Sequence, residues 1–134
     1  MSKIFLDTNI ILDIIDAQRP NNKKIHLLLE HLILNDIDIV ISEDMLSTIF
    51  YIQEDKQLVL KFLHSIQKRW IISSFGKSVI KKAIELSMEK NLDLEDTLQC
   101  LCAKENGCEA LITNDIKFYN CGVSIYTIED FLKL

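Results

Sequence analysis

Proline and glycine are scarce in this 134-residue chain, which has one proline, Pro20, and three scattered glycines, Gly76, Gly107 and Gly122. Nothing in it reads as a flexible linker, a low-complexity tract or an internal repeat. No two glycines lie close together, which excludes the glycine-rich phosphate loops of Rossmann and P-loop proteins. The four cysteines include no Cys-x-x-Cys pair, and Cys100 and Cys102 fall about 200° apart on a helical pattern, so zinc is not indicated. Buried free thiols are the expectation for all four. No uncharged run approaches the ~20 residues of a membrane span, and the amino terminus lacks the basic and apolar regions of a secretory leader. A soluble, cytoplasmic protein with no membrane partner is expected. An excess of basic residues is missing as well: the net charge of −5 argues against a protein that coats nucleic acid by bulk electrostatics.

What is present is apolar: 49% of the residues are hydrophobic, enough to fill the core of one domain spanning 1–134. A strand at about residues 3–7 runs into a helical pattern with Ile10, Ile11, Ile14 and Ile15 on one side, stopped by a turn from Gln18 to Asn22. A second helix over 23–34 buries Ile25, Leu28, Leu29, Leu32 and Ile33, and the β-branched run 37–41 reads as a buried strand. Ser42 or one of the acids after it caps a helix with Met45, Leu46, Ile49, Phe50 and Ile52. A further helix with Leu58, Leu60, Phe62, Leu63 and Ile66 follows, and then a strand over 70–75. A helix over about 77–90, with Val79, Ile80, Ala83, Ile84 and Leu86 buried, precedes another from Asp93 to Gly107, a residue suited to a left-handed helix end. Strands at 109–113 and 123–127 and a short helix complete the chain. Short apolar strands alternating with helices indicate an α/β protein with a parallel sheet covered on both faces.

Three carboxylates stand out. Asp7 closes the first strand, Asp96 lies in Asp93-Leu94-Glu95-Asp96-Thr97, and Asp115 follows the strand ending at Thr113. Each has an ordinary explanation. Asp7 is a good helix cap, Asp93 and Asp96 resemble a capping box built from aspartates, and Asp115 suits a turn. Their combination is harder to dismiss, because all three terminate or flank elements that can converge at one sheet edge, where open α/β sheets bind ligands. Carboxylates gathered there raise one another's pKa, and a hard divalent cation relieves the conflict.

The ordered set Asp7-Thr8-Asn9, Ile41-Ser42, Asp93-Leu94-Glu95-Asp96-Thr97-Leu98-Gln99 and Thr113-Asn114-Asp115 resembles a PIN domain. The resemblance runs the length of the chain, and it is to the small stand-alone bacterial type that includes VapC-like toxins. It implies a three-layer α/β/α fold whose five-stranded parallel sheet has the order 3-2-1-4-5, with Asp7 and Asp115 on adjacent strands at the topological switch point. It further implies a Mg²⁺- or Mn²⁺-dependent endoribonuclease, the toxin of a toxin–antitoxin pair. Asp7, Asp96 and Asp115 would hold the metal, with Asn9, Thr113 and Asp93 in support. RNA is then the substrate, an antitoxin protein a partner and a homodimer the assembly. The negative charge does not oppose this, since bound divalent ions reverse the local field a phosphate meets.

One position departs from the family pattern. The glutamate expected six residues beyond Ser42 is Thr48 here, and Asp44 or Glu43 would have to substitute for it. Asp44 lies one helical turn before Thr48, on the same face. The departure supports a rival reading, a catalytically weak PIN domain that binds RNA or a protein without cutting. A haloacid-dehalogenase-like phosphatase is disfavoured, because Asn9 stands where its second aspartate belongs. His26, His31 and His64 have no ligand spacing and read as helix-surface residues. Lys23, Lys24, Lys68, Arg69, Lys77, Lys81, Lys82 and Lys117 are mostly solvated helix faces, with a local phosphate track as the alternative use.

Overall fold

The computed structural model describes residues 1–115 and 117–134. Five strands, β1 (Lys3–Leu6), β2 (Asp38–Ser42), β3 (Ile71–Ser73), β4 (Ala110–Ile112) and β5 (Ser124–Tyr126), form one sheet in the order β3-β2-β1-β4-β5. Every pairing is parallel, with Ile4 in register with Ile39 on one side and with Ala110 on the other. The three central strands carry continuous apolar runs because both of their faces are covered; Ile4, Phe5, Leu6, Val40, Ile41, Ala110, Leu111 and Ile112 are fully buried. The edge strands β3 and β5 are only partly covered.

The helices are α1 (Thr8–Ile15), α2 (Asn22–Leu34), α3 (Asp44–Ile52), α4 (Lys56–Ile66), α5 (Gly76–Lys90), α6 (Leu94–Glu105) and α7 (Ile128–Leu132). Helix α1 packs on α2, α3 and α4, and α2 on α7, whereas α5 packs on α6. Right-handed crossovers explain the division: β1, β2 and β3 step outward in one direction, and the chain must then return across the other face of the sheet to reach β4. The α/β/α layering and the strand order are those the resemblance implies.

Side-chain caps start several helices. Asp55, Asp93 and Thr127 accept from the amides of Leu58, Asp96 and Asp130. Gly107, expected at a left-handed helix end, has φ +71° and its amide donates to the Lys104 carbonyl. Helix α3 differs from expectation: Glu43 stands at its N-cap with no side-chain cap bond, while the Ser42 hydroxyl donates to the Asp44 carboxylate.

Three expectations fail for physical reasons. Ile80 and Ile84, expected in the core, are each 44% exposed, because α5 rests on α6 through a narrow stripe of Val79 and Ala83. Leu58, Leu60 and Ile33 are likewise outward, and Val59, Ile66, Ile25, Leu28 and Leu32 take the buried positions. The cysteines are not all free: Cys100 on α6 is disulfide-bonded to Cys121, with a Cα–Cα separation of 6.0 Å. A helical-spacing argument compares residues on one element, and Cys121 arrives from the loop between β4 and β5. Cys102 and Cys108 remain buried thiols, and burial pushes the Cys108 thiol up to about 12, which leaves it unreactive. Among the described residues no helix is long and apolar enough to cross a membrane.

Candidate active site

The carboxyl ends of β1 and β4 are adjacent strand ends, and the topology puts the first and last of the three acids beside each other there. The Asp7 amide donates to the Ile112 carbonyl at 3.0 Å, so the chain leaves β1 still paired to β4. Asp7 is 6% exposed and both carboxylate oxygens are engaged. Oδ1 accepts from the Thr8 amide at 2.7 Å and Oδ2 from the Thr113 hydroxyl at 2.8 Å. Asp7 is therefore both the helix cap of the ordinary reading and one wall of a polar cluster. Burial pushes its pKa up, hydrogen bonds from Thr113 and Thr8 pull against that, and the charge of Asp115 adds to the rise.

Thr113 is the link between the two strand-end acids. While its hydroxyl donates to Asp7, it accepts from the Asp115 amide at 3.1 Å. Asp115 is exposed, and its Oδ1 accepts from the Lys117 amide at 2.8 Å in an Asx-type turn. Asn9 is exposed and borders the same cavity as Asp115, but it is not among the hydrogen-bond partners of Asp7.

Helix α6 supplies the third acid through its first turn. Asp93 caps the helix by accepting from the Asp96 amide at 3.0 Å, and the Thr97 hydroxyl donates to the Asp93 carbonyl at 2.7 Å. This fixes the helix start, so that Asp96 sits within the field of Asp7 and Asp115. Burial, followed by the charges of Asp93, Asp7, Asp115 and Glu95, pushes the Asp96 pKa up to about 7. The three acids named from the sequence thus interact electrostatically in the fold.

Four further residues belong to this network. Glu95 has a raised pKa, first from burial and then from the charges of Asp44, Asp7 and Asp93. That coupling puts Asp44 near the cluster, while Glu43 is exposed and not among these interactions. Gln99 is fully buried, donating from Nε2 to the Thr8 hydroxyl at 3.0 Å and to Glu95 Oε1 at 3.3 Å. Thr8 in turn donates to Glu95 Oε1 at 3.4 Å. The fourth is Asp13, buried on α1, whose Oδ2 accepts from Asn114 beside Asp115 at 2.8 Å. The i,i+4 spacing of Glu95 and Gln99 was a usable sequence signal for a shared helix face; Asp13 carried none.

The donor set is entirely carboxylate, hydroxyl and amide oxygen, which suits a hard divalent cation and not a soft one. Gln99 Oε1 is buried and has no hydrogen-bond partner among the described residues, a further oxygen acceptor with its lone pairs unengaged. No group of three or more His, Cys, Asp or Glu among the described residues already stands arranged to grip an ion. The acids form a loose, mutually repelling cluster whose chemistry fits a cation and whose side chains would have to draw in around it. Asp7, Asp96 and Asp115 are coupled through their charges, and the charges of Glu95 and Asp44 bear on the same cluster.

Comparison with known proteins bears on the family and the fold. The family described as "PIN domain" matches residues 3–117. The chain is 38% identical over 135 residues to Ribonuclease VapC1 of Aquifex aeolicus (strain VF5), covering 98% of this chain and 94% of that protein. Two solved structures share the fold. VapBC2 from Rickettsia felis, bound to a DNA fragment from their promoter, matches with a TM-score of 0.73 and 22% identity over 93% of this chain and 98% of that one. A toxin–antitoxin complex from Klebsiella pneumoniae matches with a TM-score of 0.73 and 18% identity over 93% and 97%.

Proposed function

The chain belongs to the PIN-domain family, and from that premise we propose that it is a metal-dependent endoribonuclease hydrolysing RNA phosphodiester bonds, acting as the toxin of a bacterial toxin–antitoxin pair. The observation that carries the proposal is the electrostatic coupling of Asp7, Asp96 and Asp115 at the carboxyl edge of the sheet, with Asp96 pushed up to about 7. Carboxylates that repel one another cost stability, and a domain that only binds a partner gains nothing from them. Mg²⁺ or Mn²⁺ is the cofactor, held by Asp7, Asp96 and Asp115. When bound, such an ion supplies activation of water and neutralisation of charge at the scissile phosphate.

The chain's own residues do the positioning. Thr113 sets the spacing of Asp7 and Asp115 by bonding to both. Asp93 anchors the first turn of α6 and with it the direction of Asp96. Gln99 and Thr8 orient Glu95, which faces the cluster as a further acid able to take or hold a proton from the attacking water. A homodimer and an antitoxin partner complete the reading, supported by the resemblance and by the toxin–antitoxin complexes among the fold's neighbours.

The rival, a binding module that does not cut, draws on Thr48. Its hydroxyl donates to the Asp44 carbonyl at 3.1 Å, so it is engaged by the helix backbone. The two readings part in one experiment. Purified protein with Mn²⁺ is expected to cut single-stranded RNA internally, leaving 5′-phosphate and 3′-hydroxyl ends, with EDTA stopping the reaction. Metal-independent RNA binding without cleavage across a broad panel of cellular RNAs would establish the rival instead.

A further inference from the structure

A strand of RNA meeting this site faces a protein of net charge −5 at an edge that carries several carboxylates, so something must hold the phosphates that flank the scissile bond. A cavity of about 410 Å³ opens beside Asp115 and runs between Asn9, Asn114, Asn21 and the turn at Arg19 and Pro20. Among the described residues lining it, Arg19 is the one base. An adjoining cavity shares Asn21 and Asn114 and holds Lys24, but Lys24 is paired with Glu129.

Arg19 is held in an uncommon way. Its Nε donates to Asp13 Oδ1 at 2.6 Å, and the two side chains are 34% and 2% exposed respectively. The pair is therefore directional: Asp13, on α1, is the buried partner and Arg19 the more exposed one, and both line the cavity. A guanidinium has five N–H donors, and using Nε–H leaves the four on its terminal nitrogens. The other oxygen of Asp13 accepts from Asn114 at 2.8 Å, the residue next to Asp115. One buried carboxylate thus fixes both a cation and the loop that carries an active-site acid. Asn22 Nδ2 donates to the Asp13 carbonyl at 2.8 Å and closes the turn from behind.

Resting on the ribonuclease reading, we infer that Arg19 contacts a backbone phosphate of the RNA next to the scissile bond, and that Asp13 is the positioning residue that holds it there. Arginine suits the task because its planar fork matches phosphate and keeps its charge at every working pH. Phosphate contacts fix register without reading sequence, so this contact adds affinity equally for all RNA sequences.

The test uses the full-length protein with Mn²⁺, Arg19→Gln and Arg19→Lys variants, and two readouts: steady-state cleavage, and fluorescence-anisotropy binding of a labelled single-stranded oligonucleotide in EDTA across a salt series. Arg19→Gln is expected to raise KM about tenfold with kcat within about twofold, the scale of one charged hydrogen-bonding contact. It should also reduce the salt slope of binding by about 0.7, the value for one phosphate contact on a single strand. Arg19→Lys, which can still pair with Asp13, should keep the wild-type salt slope with a smaller rise in KM. A wild-type salt slope in a folded Arg19→Gln protein overturns the inference, as does a fall in kcat with KM unchanged, which would make the Asp13–Arg19 pair a structural pin. Should Arg19→Gln not fold, a fall in the salt slope of Arg19→Lys would overturn the inference and a preserved slope with raised KM would support it. Wild-type protein that neither cuts nor binds RNA overturns the ribonuclease reading itself, a result distinct from the others.

Discussion

Asp96→Asn is expected to lower the rate of RNA cleavage by on the order of 10²–10³-fold, the scale on which loss of one charge-stabilising group is felt in an active site. The same substitution should leave the metal-free protein at least as stable as the wild type. The reason lies in linkage. Asp96 has an ordinary pKa of 3.8 when exposed and about 7 in the fold, raised by burial and then by Asp93, Asp7, Asp115 and Glu95. Between about pH 4 and pH 7 the folded protein therefore holds a proton that the unfolded chain releases. The metal-free fold loses stability as pH rises through that window and stays at the lower level above it.

Asparagine cannot ionise, so the variant escapes the loss. Asp96 is partly exposed, and solvent screening reduces the effect to about 1 kcal/mol, or roughly 3–5 °C in Tm for a chain of this size. In EDTA at pH 8 the variant should melt above the wild type, with the gap closing toward pH 4. Saturating Mn²⁺ should reverse the order, since the ion stabilises the protein that binds it better. A variant that melts below the wild type in EDTA at pH 8 would show that Asp96 has a structural role in starting α6.

The second large effect concerns the fourth acid. Asp44→Asn should slow cleavage about 10–100-fold, as expected for a group that tunes a metal site from its margin, whereas Thr48→Glu should change the rate less than about twofold on the same scale. Asp44 faces the cluster strongly enough for its charge to raise Glu95, and the fully buried Ser42 donates its hydroxyl to Asp44 and holds it in place. Thr48 spends its hydroxyl on the Asp44 carbonyl and borders a different cavity, with Ser47, Tyr51 and Ile52. That hydrogen bond also verifies that the two residues share a helix face. A rate that rises in Thr48→Glu and is unchanged in Asp44→Asn would return the fourth position to residue 48 and leave Asp44 as a helix-start residue.

How far the sequence reaches is clearest in particular residues. Asp7, Asp96 and Asp115 could be picked out because each sits at the junction of two elements, and junctions are marked locally by a change in hydrophobic period. Thr113 was named by resemblance, and the fold gives it a physical task, with one hydroxyl serving two acids. Asp13 was invisible because it lies inside an apolar helical run, and its partners Arg19 and Asn114 are 6 and 101 residues away. Cys121 was misread for the same reason: its partner Cys100 is 21 residues earlier and on another element. Ile80 and Ile84 show a different limit. Periodicity reports which residues are apolar, and the width of the buried stripe depends on how many neighbours the helix has, which only the tertiary arrangement decides.

The measurement that bears most directly on the account is isothermal titration of Mn²⁺ into the wild type, Asp7→Asn and Asp96→Asn at pH 7.5. On the proposed reading Asp7, Asp96 and Asp115 repel one another in the ion's absence and would supply hard oxygen donors in its presence, so removing either charge should weaken binding at least about tenfold. The expected result is a saturable binding event in the wild type that weakens in both variants. Equal affinity in all three proteins would contradict it, and with it the assignment of this acidic sheet edge as a metal-dependent nuclease site.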